Sequence, residues 1–136
     1  MINIITDDFR NTICSPFILS PWHRQEVWRY FLYQFNHAGI THLMSNLIFQ
    51  IIIGSLIEMV HGSWVTMALY FGGVVAGAMM GLLFSPDKMT VGASGGDYAL
   101  IFAYLANLIL NWDSMISRKP WKWARLAFIG IYILKY

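Results

Sequence analysis

From Trp64 to Phe84 the chain runs without one charged side chain. A bilayer's hydrocarbon core is about 30 Å thick, and a helix needs about 20 apolar residues to cross it. Leu43–Val60 has the same character, with Glu58 its only charge. Asp97–Trp112 is short alone and reaches an adequate length if its helix begins near Ser94. Trp123–Tyr136 opens a fourth apolar stretch, which covers about 21 Å at about 1.5 Å per residue. Spans are therefore expected at 43–60, 64–84, 94–112 and 123–136, the last incomplete. The succession predicts an all-α fold, a polytopic membrane helix bundle with three full spans and the start of a fourth. Residues 1–136 then form a single incomplete domain, a fragment that stops inside a membrane helix.

Composition agrees, with 57% hydrophobic and 12% charged residues against about 25% charged in an average soluble domain. The net charge of +2 is small and dispersed, which argues against nucleic acid as a partner. The single Cys14 excludes an intramolecular disulfide framework and offers no metal cluster. Met1–Asp8 lacks the basic start and apolar core of a signal peptide, so insertion is left to a membrane span.

Basic residues near span ends set orientation. Arg118, Lys119, Lys122 and Arg125 make the largest local excess, which assigns 113–125 to the cytosol. Ser94 then lies near the opposite face, and by alternation His37, His42 and Asn46 share it. Residues 1–36 form a non-cytosolic segment. Within it Trp22, Trp28, Tyr30, Phe31 and Tyr33 accompany Arg24 and Arg29, a composition that suits a segment lying at the headgroups. An ordinary amphipathic surface helix fits the same residues.

Gly73, Gly77 and Gly81 repeat every four residues along one face of the second span. Small residues at that spacing let helix backbones approach closely in lipid, which predicts a span packed between neighbours. Glu58 is a costly intramembrane carboxylate, expected to face protein, find donors and anchor a loop.

Two polar clusters open apolar stretches. His42 and Asn46, four apart, share a helix face. Both can donate hydrogen bonds, so with the Ser94 backbone N–H they can stabilise an oxyanion as in acyl transfer. They can also simply join helices. Ser94 stands in Gly92-Ala93-Ser94-Gly95-Gly96, and Ser94-Gly95-Gly96-Asp97 also matches a capping box. Tyr98 lies one turn after Ser94. Asp97 places a carboxylate near any oxyanion formed at Ser94, so Asp97→Val is expected to spare activity.

Taken in order, Trp28-Arg29, His37 with His42 and Asn46, Gly54/Glu58/Gly62, the glycine-striped span and Gly92-Ala93-Ser94-Gly95 with Tyr98 resemble the rhomboid family of intramembrane serine proteases. The likeness covers about residues 15–112. Gly-Ala-Ser-Gly-Gly followed by Tyr98-Ala99-Leu100 looks like the secretase-type eukaryotic branch. The resemblance implies a partial rhomboid-like fold with Ser94 as nucleophile and His42 and Asn46 in the oxyanion hole. It assigns Tyr98 to packing on a histidine general base, and Trp28, Arg29, His37, Glu58, Gly92 and Gly95 to supporting the motifs. It implies no metal or organic cofactor. Its partners are the lipid bilayer and single-pass transmembrane substrates cleaved near the outer leaflet, in the secretory pathway or plasma membrane. The general-base histidine of the family, on a later span, is absent, because no histidine follows His61. A catalytically inactive relative that binds transmembrane clients is the alternative. A small transporter or channel subunit is a third reading, for which paired intramembrane charges are lacking.

Overall fold

The computed structural model describes residues 15–111, the backbone of Asn3–Ile4, and position 127. Apart from that position, the stretch expected at 123–136 lies outside the described residues, as do Arg118, Lys119, Lys122 and Arg125.

Strand β1 (Asn3–Ile4) pairs in parallel with β2 (Asn36–His37). Between residue 15 and β2 the chain forms a folded loop: a 3₁₀ turn at Pro21–His23, helix α1 (Arg29–Leu32) and a second 3₁₀ turn at Tyr33–Phe35. Three longer helices follow, α2 (Ile40–His61), α3 (Ser63–Phe84) and α4 (Ser94–Leu110). α2 and α3 are separated by Gly62 alone, whose φ of 83° and ψ of 162° lie in a region open essentially only to glycine. α3 ends at Ser85, before Pro86, where the proline ring disfavours helical backbone in the preceding residue. At 17 residues α4 is roughly 25 Å long.

α2 is interrupted by a π-helical turn at Gln50–Gly54. Such a turn adds a residue to the helix without breaking it. It lies beside Ile53 and Ile57, which enter a buried cluster with Leu100, Ile101, Tyr104 and Leu108 of α4. The opposite surfaces stay apolar and exposed, with Met59, Val60, Trp64, Met79 and Leu83 turned outward. Across their most apolar 18 residues, 28% of α2 and 17% of α3 is buried, so most of each surface faces outward. Both are long and apolar enough to cross a membrane.

The glycine stripe of α3 seats the first turn of α4. A Cβ on Gly73 would collide with Ala99 Cβ, one on Gly77 would reach Gly95 Cα at 3.0 Å, and one on Gly81 would reach Thr90 Oγ1 at 3.1 Å. Close packing follows the spacing. α3 also meets α1 and α2, through Tyr33 to the Val74 carbonyl and Gln50 to Tyr70 among other contacts, so it is packed between neighbours.

The loop before β2 is neither a continuous amphipathic helix nor uniformly interfacial. Trp22, Val27, Trp28 and Phe31 are exposed, as a headgroup segment requires. Arg29 is buried: Nε donates to Glu26 Oε2 at 2.7 Å, and Nη1 donates to the Ser15 and Ile18 carbonyls, each at 2.8 Å. The arginine expected at the headgroups is instead an internal clamp. Burying a guanidinium is costly unless its donors are matched, and three of its five N–H groups meet carbonyl or carboxylate oxygens. The clamped segment in turn pairs with the loop before α4, through Leu19 N–H to Thr90 O at 3.2 Å and Thr90 N–H to Leu19 O at 3.0 Å.

Glu58 departs from expectation as well. It is exposed, along a groove between α2 and α3 that Gly54, Thr66 and Phe71 also line. It does find a donor, the Ser63 hydroxyl across the Gly62 turn, and so it braces the α2–α3 loop.

Candidate active site

Gly39, at φ 94°, starts α2 just after β2, and the helix carries His42 and Asn46 on one face. The Ala38 N–H donates to His42 Nδ1 at 3.4 Å. Nδ1 is thereby the acceptor, and the ring proton of neutral His42 belongs on Nε2. Asn46 is fully buried, and neither its Nδ2 nor its Oδ1 has a partner among the described residues. His37 is buried beside His42, the two rings meeting edge to face with centroids 5.3 Å apart. Burial holds the His37 imidazole below its usual 6.5, and the charge of His42 lowers it further.

The second half of the site comes from the loop before α4. The Gly92 N–H donates to Tyr33 O at 3.1 Å. Gly92 has φ 107°, and a Cβ there would stand 2.7 Å from His42 Cε1, 3.1 Å from His42 Nε2 and 3.7 Å from Asn46 Nδ2. Only glycine provides both this backbone and this approach. The loop is thus pressed onto the face that bears His42 and Asn46, two residues before Ser94.

Ser94 is half-buried and is the first residue of α4. The N-cap is Ala93, and no side chain caps the helix; the Ala93 carbonyl accepts from the Gly96 and Asp97 N–H groups at 3.0 and 3.2 Å. The capping box suggested by Ser94-Gly95-Gly96-Asp97 is therefore not formed. Long-range packing moves the helix start instead. A Cβ on Gly95 would meet Tyr33 Oη at 2.8 Å and Gly73 O at 2.9 Å, and one on Gly96 would run into the Tyr70 ring. Ser94 is left uncommitted at a helix N-terminus, where backbone N–H groups lack intrahelical acceptors and the dipole favours negative charge.

A cavity of about 160 Å³ lies beside these groups, lined among others by Gln34, His37, Asn46, Gln50, Tyr70 and Ala93. Tyr98 is half-buried and packs on the Ile53–Ile57–Leu100 cluster. Trp28 is exposed, and Glu58 braces the far end of α2 rather than the site. His37, His42, Asn46, Gly92 and Ala93 come together, Ser94 is the next residue along the chain, and Gly95 packs on Tyr33, Gly73 and Gly77.

Sequence reasoning missed Tyr33 and Tyr70. Tyr33 is buried and its hydroxyl donates to the Val74 carbonyl at 2.7 Å. Burial pushes its ionisation up to about 12, so it remains a neutral donor. Gln50 Nε2 donates to Tyr70 Oη at 3.2 Å. A polar residue amid the apolar run 47–53 was the available signal for Gln50; nothing local marks either tyrosine.

The rhomboid domain family matches residues 24–135. Rhomboid-related protein 1 of Caenorhabditis elegans is 40% identical over 117 residues, 86% of this chain and 32% of that protein. Rhomboid-related protein 2 of Mus musculus is 43% identical over 102 residues, 75% of this chain and 34% of that protein. Inactive rhomboid-related protein 2 of Caenorhabditis elegans is 35% identical over 101 residues, 74% of this chain and 29% of that protein. No solved structure matches. The chain belongs to the rhomboid family, and with its long apolar helices it is part of an integral membrane protein. It spans about a third of the length of the curated relatives it matches.

Proposed function

We propose that the protein is a multi-pass intramembrane serine endopeptidase that cleaves single-pass transmembrane proteins near the outer leaflet. The observation that carries this reading is the approach of Gly92 to His42 and Asn46, which joins the helix of donors to the turn that ends in Ser94. The Ser94 hydroxyl oxygen attacks the scissile carbonyl, and the carbonyl oxygen takes the negative charge. Asn46 Nδ2–H, His42 Nε2–H and the Ser94 backbone N–H receive it. Such preorganised donors act strongly in a site shielded from bulk water. The Asn46 amide, whose polar atoms have no partner among the described residues, makes the adjoining cavity hospitable to the water that must hydrolyse the acyl-enzyme.

Ser94 also needs a base. His42 is committed as a donor by the Ala38 bond to its Nδ1. His61 closes the far end of α2, nineteen residues on and about 28 Å away along the helix. The histidine that the family supplies from a later span is not among residues 95–136, so turnover by this route requires it from a further segment. The likeness to a relative named inactive favours one second reading: a rhomboid-like protein that binds transmembrane clients without cleaving them.

A fluorophosphonate probe on the full-length protein in detergent separates the two. Labelling that disappears in Ser94→Ala supports the protease. A folded protein that never labels supports the client-binding reading.

A further inference from the structure

Asp97 is the buried acid that the proposed chemistry does not use. It is 1% exposed, and neither carboxyl oxygen has a hydrogen-bond partner among the described residues. An acid placed so deep in an apolar bundle is expensive unless hydrogen-bonding groups face it. Two do: the Gln50 amide of α2 and the Tyr70 hydroxyl of α3. These two are themselves joined, Gln50 Nε2 donating to Tyr70 Oη at 3.2 Å. The Tyr70 ring lies flat against Gly96, where no Cβ fits, so it touches the turn that begins with Ser94. Gln50 is the first residue of the π-helical turn, placed on the side of α2 that meets α3 and α4.

We infer that Asp97 is a positioning residue: with Gln50 and Tyr70 it forms a polar lock that holds the first turn of α4, and hence Ser94, against α2 and α3. Every member comes from a different helix, and the lock lies within one turn of Ser94 and one turn of Asn46. In lipid, where no hydrophobic driving force acts between helices, interhelical polar contacts of this kind help to hold them together. The carboxyl is turned into the bundle toward Gln50 and Tyr70. The expectation that Asp97 opposes an oxyanion, and that Asp97→Val spares activity, therefore gives way to the opposite one. The consequence at Ser94 rests on the proposed protease reading; the lock itself does not.

The test uses the full-length protein in detergent, with Asp97→Val, Asp97→Asn, Tyr70→Phe and the Asp97→Val/Tyr70→Phe double variant. Hydrogen–deuterium exchange is read over 92–100, and the fluorophosphonate rate is read per folded molecule. Asp97→Val and Tyr70→Phe should each speed exchange and slow labelling roughly three- to ten-fold. The double variant should be no worse than the worse single one, and Asp97→Asn should restore both readouts. Unchanged exchange in Asp97→Val, or single effects that multiply in the double variant, overturns the lock. If Asp97→Val does not fold, Tyr70→Phe decides, since it keeps the ring on Gly96 and removes only the hydroxyl; unchanged exchange there overturns the lock too. An unsubstituted protein that never labels counts against the protease reading, while the exchange measurements still judge the lock.

Discussion

Gly62 and Gly92 carry the same backbone signature, φ 83° and φ 107°, at opposite ends of α2's packing. Their surroundings differ completely. A Cβ on Gly62 would meet nothing within 4 Å, whereas one on Gly92 would strike His42. Around Gly62 the apolar side chains of Met59, Val60 and Trp64 are exposed, and one hydroxyl–carboxylate contact braces the turn. Around Gly92 lie buried His37, Asn46 and Ala93. One glycine reverses the chain; the other also lets two helices share a site. Positive φ alone therefore says little about function, and what the missing Cβ would touch says a great deal.

The largest expected effect follows from that contrast. Gly92→Ala drives a Cβ into the His42 ring and forces the loop before Ser94 away from it, and should lower fluorophosphonate labelling by about a thousand-fold, since displacement by even about 1 Å and loss of one oxyanion donor each cost about a hundred-fold or more. Gly62→Ala strains the backbone by about 1–3 kcal/mol and should lower the Tm while leaving the labelling rate per folded molecule within about two-fold. Equal losses of labelling in the two variants would break the comparison.

Part of this site was legible in the sequence, for definite reasons. The four-residue spacing of His42 and Asn46 survives because Gly39 starts a regular helix before them and the π-turn comes only after. The Gly73/Gly77/Gly81 stripe reads correctly because close approach needs nothing but the absence of a Cβ. Other features depend on partners distant in sequence. Ser94-Gly95-Gly96-Asp97 looks like a cap locally, yet Gly95 and Gly96 are claimed by Gly73, Tyr33 and Tyr70, and Asp97 is carried inward with them. Arg29 resembles a headgroup arginine until the Ser15 and Ile18 carbonyls are seen to converge on it. Backbone carbonyls leave no mark in composition. The π-turn at Gln50–Gly54 leaves none either.

The Arg29 clamp sharpens the same comparison at a smaller scale. It secures the segment whose Leu19 pairs with Thr90, just ahead of Gly92, and it has no connection to the Gly62 turn. Arg29→Ala strands Glu26 and two carbonyls, a cost of about 2–4 kcal/mol. Exchange protection should fall over 85–93 and stay unchanged over 59–65. Arg29→Lys keeps the charge but not the fork, so its loss should be intermediate. A uniform loss of protection at both ends would show that the clamp supports the whole bundle rather than one end of it.

The smallest effect concerns pH and again belongs to the Ser94 end. His37 is buried with its ionisation held below 6.5, chiefly by desolvation and then by His42. The unfolded chain, whose histidine titrates near 6.5, therefore binds more protons than the folded one as the solution is acidified. Stability contributed by neutral His37 is complete above the unfolded value and is lost as pH falls from about 6.5 toward the depressed folded value. The Tm should consequently drop between about pH 7.5 and about pH 5.5, with exchange rising first over 36–46 and 90–98 rather than over 59–65. His37→Gln should lower the Tm at neutral pH yet flatten this dependence. If the slope persists unchanged in His37→Gln, the acid sensitivity of this end belongs to another group, and His37 serves it only by packing.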